Sequence, residues 1–208
     1  MRFVLFVEGD TEKDVLPNLL KRCLEGQIGR PVGIRVVNFN GWSNLWRDAR
    51  QKASFYLRGA GQSQDIVAVV SLLDLYGPDI YPPHLESAQE RLQWAKAKLE
   101  NEVSHERFRH YFAVHELEAW LFSQPEIFPS ETRKDVLALS AKPEEVNFDR
   151  TPKRRLHEIY EHRLKRGYQP RVDGAKLFRK LGAQEVRSKC PIFTKMIDEL
   201  ATLAREAR

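Results

Sequence analysis

Carboxylates stand where the apolar runs of this 208-residue chain end. Glu8 follows Phe3-Val4-Leu5-Phe6-Val7, Asp74 follows Ile66-Val67-Ala68-Val69-Val70-Ser71-Leu72-Leu73, and Glu116 follows the run 108–114 across one histidine. Each run is short and rich in β-branched or aromatic residues, as in strands buried on both faces of a parallel sheet. In open sheets of that kind the ligand crevice lies outside the carboxyl ends of the strands, so three acids from three strands meet at one rim. Hard carboxylate oxygens gathered there suit Mg²⁺ or Mn²⁺, which keep waters and bind substrate phosphates. A charge ending a buried strand is costly unless it meets a metal, a proton or a cation, which singles out Glu8. Asp10 and Glu12, taken singly, read as complements to a helix dipole, worth roughly 0.3–1 kcal/mol each.

The elements that must position these acids alternate. Thr11-Glu12-Lys13-Asp14 fits a capping box and opens a first helix that runs to about residue 25. A second strand is expected over 34–39, and a second helix over 44–57 with Ser43 as its cap and Leu45, Trp46, Ala49, Ala53, Tyr56 and Leu57 at helical spacing. A loop at 59–64 precedes the third strand, and an amphipathic helix over 85–103 precedes the fourth. That last strand runs into a helix over 115–122 carrying Glu116 and Glu118. Two apart on a helix, these point in different directions, so Glu116 should face Asp74 while Glu118 binds a basic side chain from the C-terminal region. The pattern is an α/β domain over 1–123, a parallel sheet flanked by helices. Beyond Gln124 come helices broken by Pro125, Pro129, Pro143, Pro152, Pro170 and Pro191, a helical extension over 124–208 packed on the sheet and ending in a helix over 192–204.

Apolar and charged fractions of 42% and 30% belong to a soluble globular protein. No run approaches a membrane span and the first strand comes too early for a signal peptide, so a cytoplasmic location is expected. Cys23 and Cys190 fit neither a disulfide framework nor a zinc spacing, and read as core thiols. His115-Glu116 resembles the start of His-Glu-x-x-His, but the fifth position is Ala119, which removes one zinc ligand. Gly-x-Ser-x-Gly, the P-loop and Gly-x-Gly-x-x-Gly are all missing, and with them the parts of a hydrolase triad, an NTPase or a dinucleotide site. Residues 150–189 hold 13 Lys/Arg against 4 Asp/Glu, a regional net of +9 beneath a chain total of +5. Such a segment is the footprint expected of phosphate-backbone contacts or of a solvated helical face. Lys153-Arg154-Arg155, after Thr151-Pro152 at a helix start, and Lys176 are the candidate nucleic-acid contacts, with Arg179 and Lys180 in reserve.

A glutamate after the first strand, continued by Gly9-Asp10-Thr11-Glu12, and an aspartate after the third resemble the TOPRIM fold shared by topoisomerases, primases, small recombination nucleases and OLD-family (overcoming-lysogenization-defect) nucleases. The whole chain resembles a prokaryotic TOPRIM-like family of unassigned function linked to defence islands beside a partner ATPase. The matching pieces are Val7-Glu8-Gly9 with Thr11-Glu12, Asp74-Leu75-Tyr76-Gly77-Pro78, Glu116 and Glu118 within His115 to Phe122, Pro152-Lys153-Arg154-Arg155-Leu156, and Cys190-Pro191-Ile192-Phe193.

The resemblance implies Mg²⁺- or Mn²⁺-dependent phosphodiester hydrolysis of DNA or RNA. Glu8, Glu12 and Asp74 would be catalytic, and Glu8, Asp74, Glu116 and Glu118 would hold metal. The chain departs from the TOPRIM Asp-x-Asp at Tyr76, which supplies no hard anionic ligand at neutral pH. Asp79 could substitute, or Glu116 and Glu118 could complete the site as extra carboxylates do in OLD-like nucleases. The alternative is a catalytically silent module of an antiviral defence complex that binds nucleic acid or a partner ATPase; a homodimer is left open.

Overall fold

The structure, a computed structural model, describes residues 1–58, 65–146 and 150–207; the loop expected at 59–64 lies outside them. Its first half runs β1 (Arg2–Val7), α1 (Asp10–Ile28), β2 (Gly33–Asn38), α2 (Trp42–Arg58), β3 (Ile66–Asp74), α3 (Ala88–Val103) and β4 (Phe108–Ala113). Helices follow: α4 (Glu118–Leu121), α5 (Arg133–Leu137), α6 (Pro152–Leu164), α7 (Ala175–Lys180), α8 (Ala183–Lys189) and α9 (Pro191–Glu206). The four strands form one parallel sheet in the order β2-β1-β3-β4.

Strand alternation divides the core. Phe3, Leu5 and Val7 of β1 join Leu16, Leu19 and Leu24 of α1 and Phe193, Ile197 and Leu200 of α9 on one face. Val4 and Phe6 join Leu45, Ala49 and Ala53 of α2 and Ala95 and Leu99 of α3 on the other. β1 and β3, central in the sheet, are buried from Phe3 to Val7 and from Ile66 to Leu73, which is why they read as unbroken apolar runs. Emptying one such position, as in Phe6→Ala, should cost about 3–5 kcal/mol. Among the described residues no helix is long and apolar enough to cross a membrane.

Several helix starts differ from expectation. α1 begins at Asp10 with Gly9 as its extended N-cap, so Thr11 lies inside the first turn and the expected capping box does not form. A Cβ at Gly9 would lie 3.1 Å from Glu12 Oε2, so the bare glycine lets that carboxylate fold back over the turn. α2 likewise begins at Trp42 rather than after Ser43, because Gly41 at φ 130 turns the chain two residues earlier. α3 starts at Ala88, where Ser87 and Glu90 form a reciprocal capping box, three residues later than the periodicity placed it. The helix expected over 115–122 shrinks to α4, because His115 adopts φ 70, a left-handed conformation that no α-helix continues through.

Candidate metal centre

From β1 the chain crosses to β2 on one side, then returns over the sheet to β3 and β4 on the other. The order therefore reverses between β1 and β3, and crevices open at such switch points beyond the carboxyl ends of the strands. Glu8 ends β1 and Asp74 ends β3, one on each flank of this crevice. Glu8 is tied in by its backbone, whose carbonyl accepts the Gly41 N–H at 2.8 Å, and its carboxylate accepts the N–H of Trp42. Gly77 packs over it; a Cβ there would sit 3.3 Å from Glu8 Oε2. Asp74 is held from the fourth strand, with Oδ1 accepting the Leu117 N–H at 3.2 Å.

The left-handed turn at His115 sends the chain back over the rim and delivers two more carboxylates. Both meet one lysine. The Lys153 ammonium lies 3.7 Å from Glu116 Oε1 and 3.9 Å from Glu118 Oε2, and the Lys153 backbone N–H donates to Glu116 Oε2 at 2.7 Å. That N–H belongs to the first turn of α6, which Thr151 and Pro152 start, so Glu116 satisfies an otherwise orphaned donor at the positive end of the helix. Glu116 thereby anchors α6, and α6 presents Lys153.

Like charges crowded into this space disfavour their own ionisation. Burial, then the charges of Glu118 and Glu12, push Asp74 well above the carboxylate range. Glu118, only 2% exposed, is pushed up to about 7, chiefly by burial against the counteracting charge of Lys153. Burial and Glu12 raise Glu8, opposed by Lys153 and the Trp42 N–H. Burial works against the Lys153 ammonium, but Glu118, Glu116, Asp74 and Glu12 together outweigh it and hold the group above the ordinary lysine range. The rim carries more negative charge than one lysine neutralises, and it calls for a further cation or for protons.

Residues 7–201 match the model of a family described as "Domain of unknown function (DUF4276)". The chain belongs to that family. No curated protein matches it significantly. The C-terminal region of the Burkholderia pseudomallei OLD protein superposes on it with a TM-score of 0.50 at 18% identity, over 100% of this chain and 98% of that one. The corresponding region of the Xanthomonas campestris pv. campestris OLD protein reaches 0.43 at 16% identity, over 98% and 96%. At 18% identity the first likeness is one of fold.

In this DUF4276 chain the rim joins Glu8, Glu12, Asp74, Glu116, Glu118 and Lys153 through mutual charge effects. Glu118 acts on Asp74 more strongly than Glu116 does, the reverse of the expected pairing, because Glu116 is drawn toward α6. Asp79 is exposed in its loop and is not among the charges that act on Asp74. Tyr76 stacks on His115 with ring centroids 5.0 Å apart. Among the described residues no three Asp, Glu, His or Cys side chains are disposed to hold an ion as they stand.

The basic run is split: Lys153 enters the rim, Arg154 pairs with Glu158 at 3.2 Å, and Arg155 lines a separate surface hollow between α5 and α6. Lys176 is exposed on α7, beside a groove lined by Asp173 and Glu126. Sequence reasoning missed Tyr168, whose buried phenol is pushed up by burial and then by Glu118. It also missed the helix-capping role of Glu116, for which Thr151-Pro152 was the available signal.

Proposed function

We propose that the protein is a Mg²⁺- or Mn²⁺-dependent nuclease of TOPRIM type acting on DNA or RNA. The observation that carries this reading is the set of desolvated, mutually repelling carboxylates at the sheet's switch point, an arrangement that destabilises the fold unless positive charge arrives. The donor set fits a hard divalent cation, being all carboxylate oxygen. Glu8, Asp74, Glu116 and Glu118 would hold it, and when bound it would activate water and stabilise charge on the phosphodiester.

The chain's own residues supply the rest. Glu12, at the start of α1 beside Gly9, would assist Glu8 in proton transfer, in keeping with the charge by which it raises the affinity of Glu8 for a proton. Glu118, pushed up to about 7 before a divalent cation arrives, would give up its proton as that cation binds, which ties metal binding to pH near neutrality. Lys153 offers an ammonium to a phosphate oxygen once a cation takes over the carboxylates, and Arg154, Arg155 and Lys176 extend that contact. The division near residue 123 belongs to the same proposal: the sheet half brings carboxylates and the helical half brings the lysine. A defence role beside a partner ATPase rests on the family resemblance.

One observation favours a second reading, a silent module that binds nucleic acid or a partner. Tyr76 occupies the position of the second TOPRIM acid, and its ring is stacked on His115. Incubating plasmid and single-stranded substrates with Mg²⁺ or Mn²⁺, beside the Glu8→Gln variant, decides between them. Divalent-dependent cleavage that the variant loses supports the nuclease. Substrate binding without cleavage under every metal and partner condition selects the silent module.

A further inference from the structure

Helix α2 leaves the rim and carries a second kind of charge outward. Its first residue, Trp42, donates its backbone N–H to Glu8, so the helix starts at the proposed centre. Leu45, Ala49, Ala53 and Tyr56 are buried on its inner side. On the outer side Arg47, Arg50, Ser54 and Arg58 follow at intervals of three and four, with Gln51 and Phe55 four and eight residues on from Arg47, so the six line one face. They border a shallow groove of about 790 Å³. Of the three arginines only Arg47 has an ion pair among the described residues, at 2.8 Å from Asp48. Phe55 is 60% exposed, the most exposed large apolar side chain described. Its ring stands edge-on to Tyr56 at 5.2 Å, which fixes its place while leaving a face to solvent.

An aromatic ring set among three exposed arginines, two of them without an ion pair among the described residues, suits one ligand chemistry in particular. Arginines along a groove track phosphates, and an exposed ring between them stacks a base that is not already paired. At 1.5 Å per residue the stripe ends roughly 24 Å from Trp42, enough to follow several nucleotides toward the rim. We infer that the outer face of α2 is a binding track for single-stranded nucleic acid, with Arg47, Arg50 and Arg58 on phosphates and Phe55 under a base, leading the strand to the carboxylates of the sheet edge. This inference rests on the nuclease reading for what the strand is led to, and on the stripe itself for binding.

The test is fluorescence anisotropy of a labelled 20-nucleotide single-stranded DNA, its RNA counterpart and a duplex, all in EDTA so that cleavage plays no part. Replacing Arg47, Arg50 and Arg58 with alanine should weaken single-strand binding at least tenfold and flatten the log–log salt slope by about two. Phe55→Ala should weaken it by about five- to a hundredfold with the slope unchanged, and affect the duplex less. Because all four side chains are exposed, unchanged circular dichroism is expected; Arg50→Glu gives a second variant should the triple one fold poorly. Wild-type affinity and slope in these variants, or a wild-type protein that binds neither strand type, would overturn the track. Binding that follows these expectations in a protein that never cleaves would keep the track and remove the nuclease. The DNA and RNA arms show which strand is preferred.

Discussion

The rim and the outer face of α2 treat charge in opposite ways. At the rim, carboxylates are desolvated, repel one another and have displaced proton affinities, and one lysine is drawn among them. On α2 the arginines are solvated, and their neighbours on the stripe are Gln51, Ser54 and Phe55, with Asp48 beside Arg47. Desolvated charge is expensive to keep and gains most from a ligand of opposite sign, which is what a catalytic centre needs. Solvated charge is cheap, screened by salt and suited to capture.

The largest expected effect breaks the rim. Glu8→Gln or Asp74→Asn should lower divalent-dependent cleavage on the order of 10²–10³-fold or more. Asp74→Asn should at the same time melt higher than the wild type in EDTA, because a neutral amide escapes the cost of burial first, and then the repulsion by Glu118 and Glu12, that raise Asp74. Paired cleavage and melting measurements check both. An Asp74→Asn protein that cleaves normally would place the chemistry elsewhere.

Next comes a third way of handling buried charge, which is to discharge it. His110 is fully buried, with Nδ1 3.0 Å from the hydroxyl of Ser71, its register partner on β3. Burial first, and then the Lys96 charge, hold its imidazole down to about 3. Between about 6.5 and 3 the unfolded chain binds a proton that the folded one refuses, so this group removes stability as pH falls through that window, by up to about 1.4 kcal/mol per pH unit. His110→Gln, which keeps a polar partner for Ser71, should flatten the fall in urea midpoint over that range. An unchanged slope would show that other groups drive acid unfolding.

Lys153→Met sharpens the comparison from inside the rim. Removing a partner from a buried ion cluster costs several kcal/mol, but this side chain is 44% exposed, so about 1–3 kcal/mol in EDTA is expected. Because the lysine stands where positive charge is wanted, millimolar Mg²⁺ should stabilise the variant more than the wild type. Equal stabilisation of the two in thermal melts would mean that lysine and metal do not share the carboxylates.

Much of this arrangement was legible in the chain and some of it could not be. The strands showed as unbroken apolar runs because β1 and β3 are buried on both faces, and acids ending such runs must share an edge of a parallel sheet. Helix starts were less legible: a capping box at Thr11 is as good locally as the glycine cap that forms, and the choice depends on Glu12 folding over Gly9. The left-handed turn at His115 and the docking of Lys153 on Glu116 and Glu118 join segments some 37 residues apart, which local pattern does not encode. The α2 stripe escaped a regional charge count because its three arginines are spaced along the helix among apolar and polar residues rather than run together.

The smallest expected effect lies on α6, where we propose that Arg154 and Arg155 extend a phosphate contact beside Lys153. Arg154 is exposed and already paired with Glu158 one turn on, an interaction worth about 0.3–0.5 kcal/mol. To reach a phosphate it must release that carboxylate, so its net gain on binding is small. Arg155 is half-buried beside α5, facing a hollow of its own. Replacing both with alanine should shift stability by no more than about 1 kcal/mol and flatten the salt slope of single-strand binding by less than about one, against about two for the α2 arginines. Measured side by side in EDTA, the two slopes rank the faces. A larger loss from α6 than from α2 would reverse the ranking, making the helix that carries the rim lysine the principal capture surface and leaving α2 a solvated face with an exposed ring.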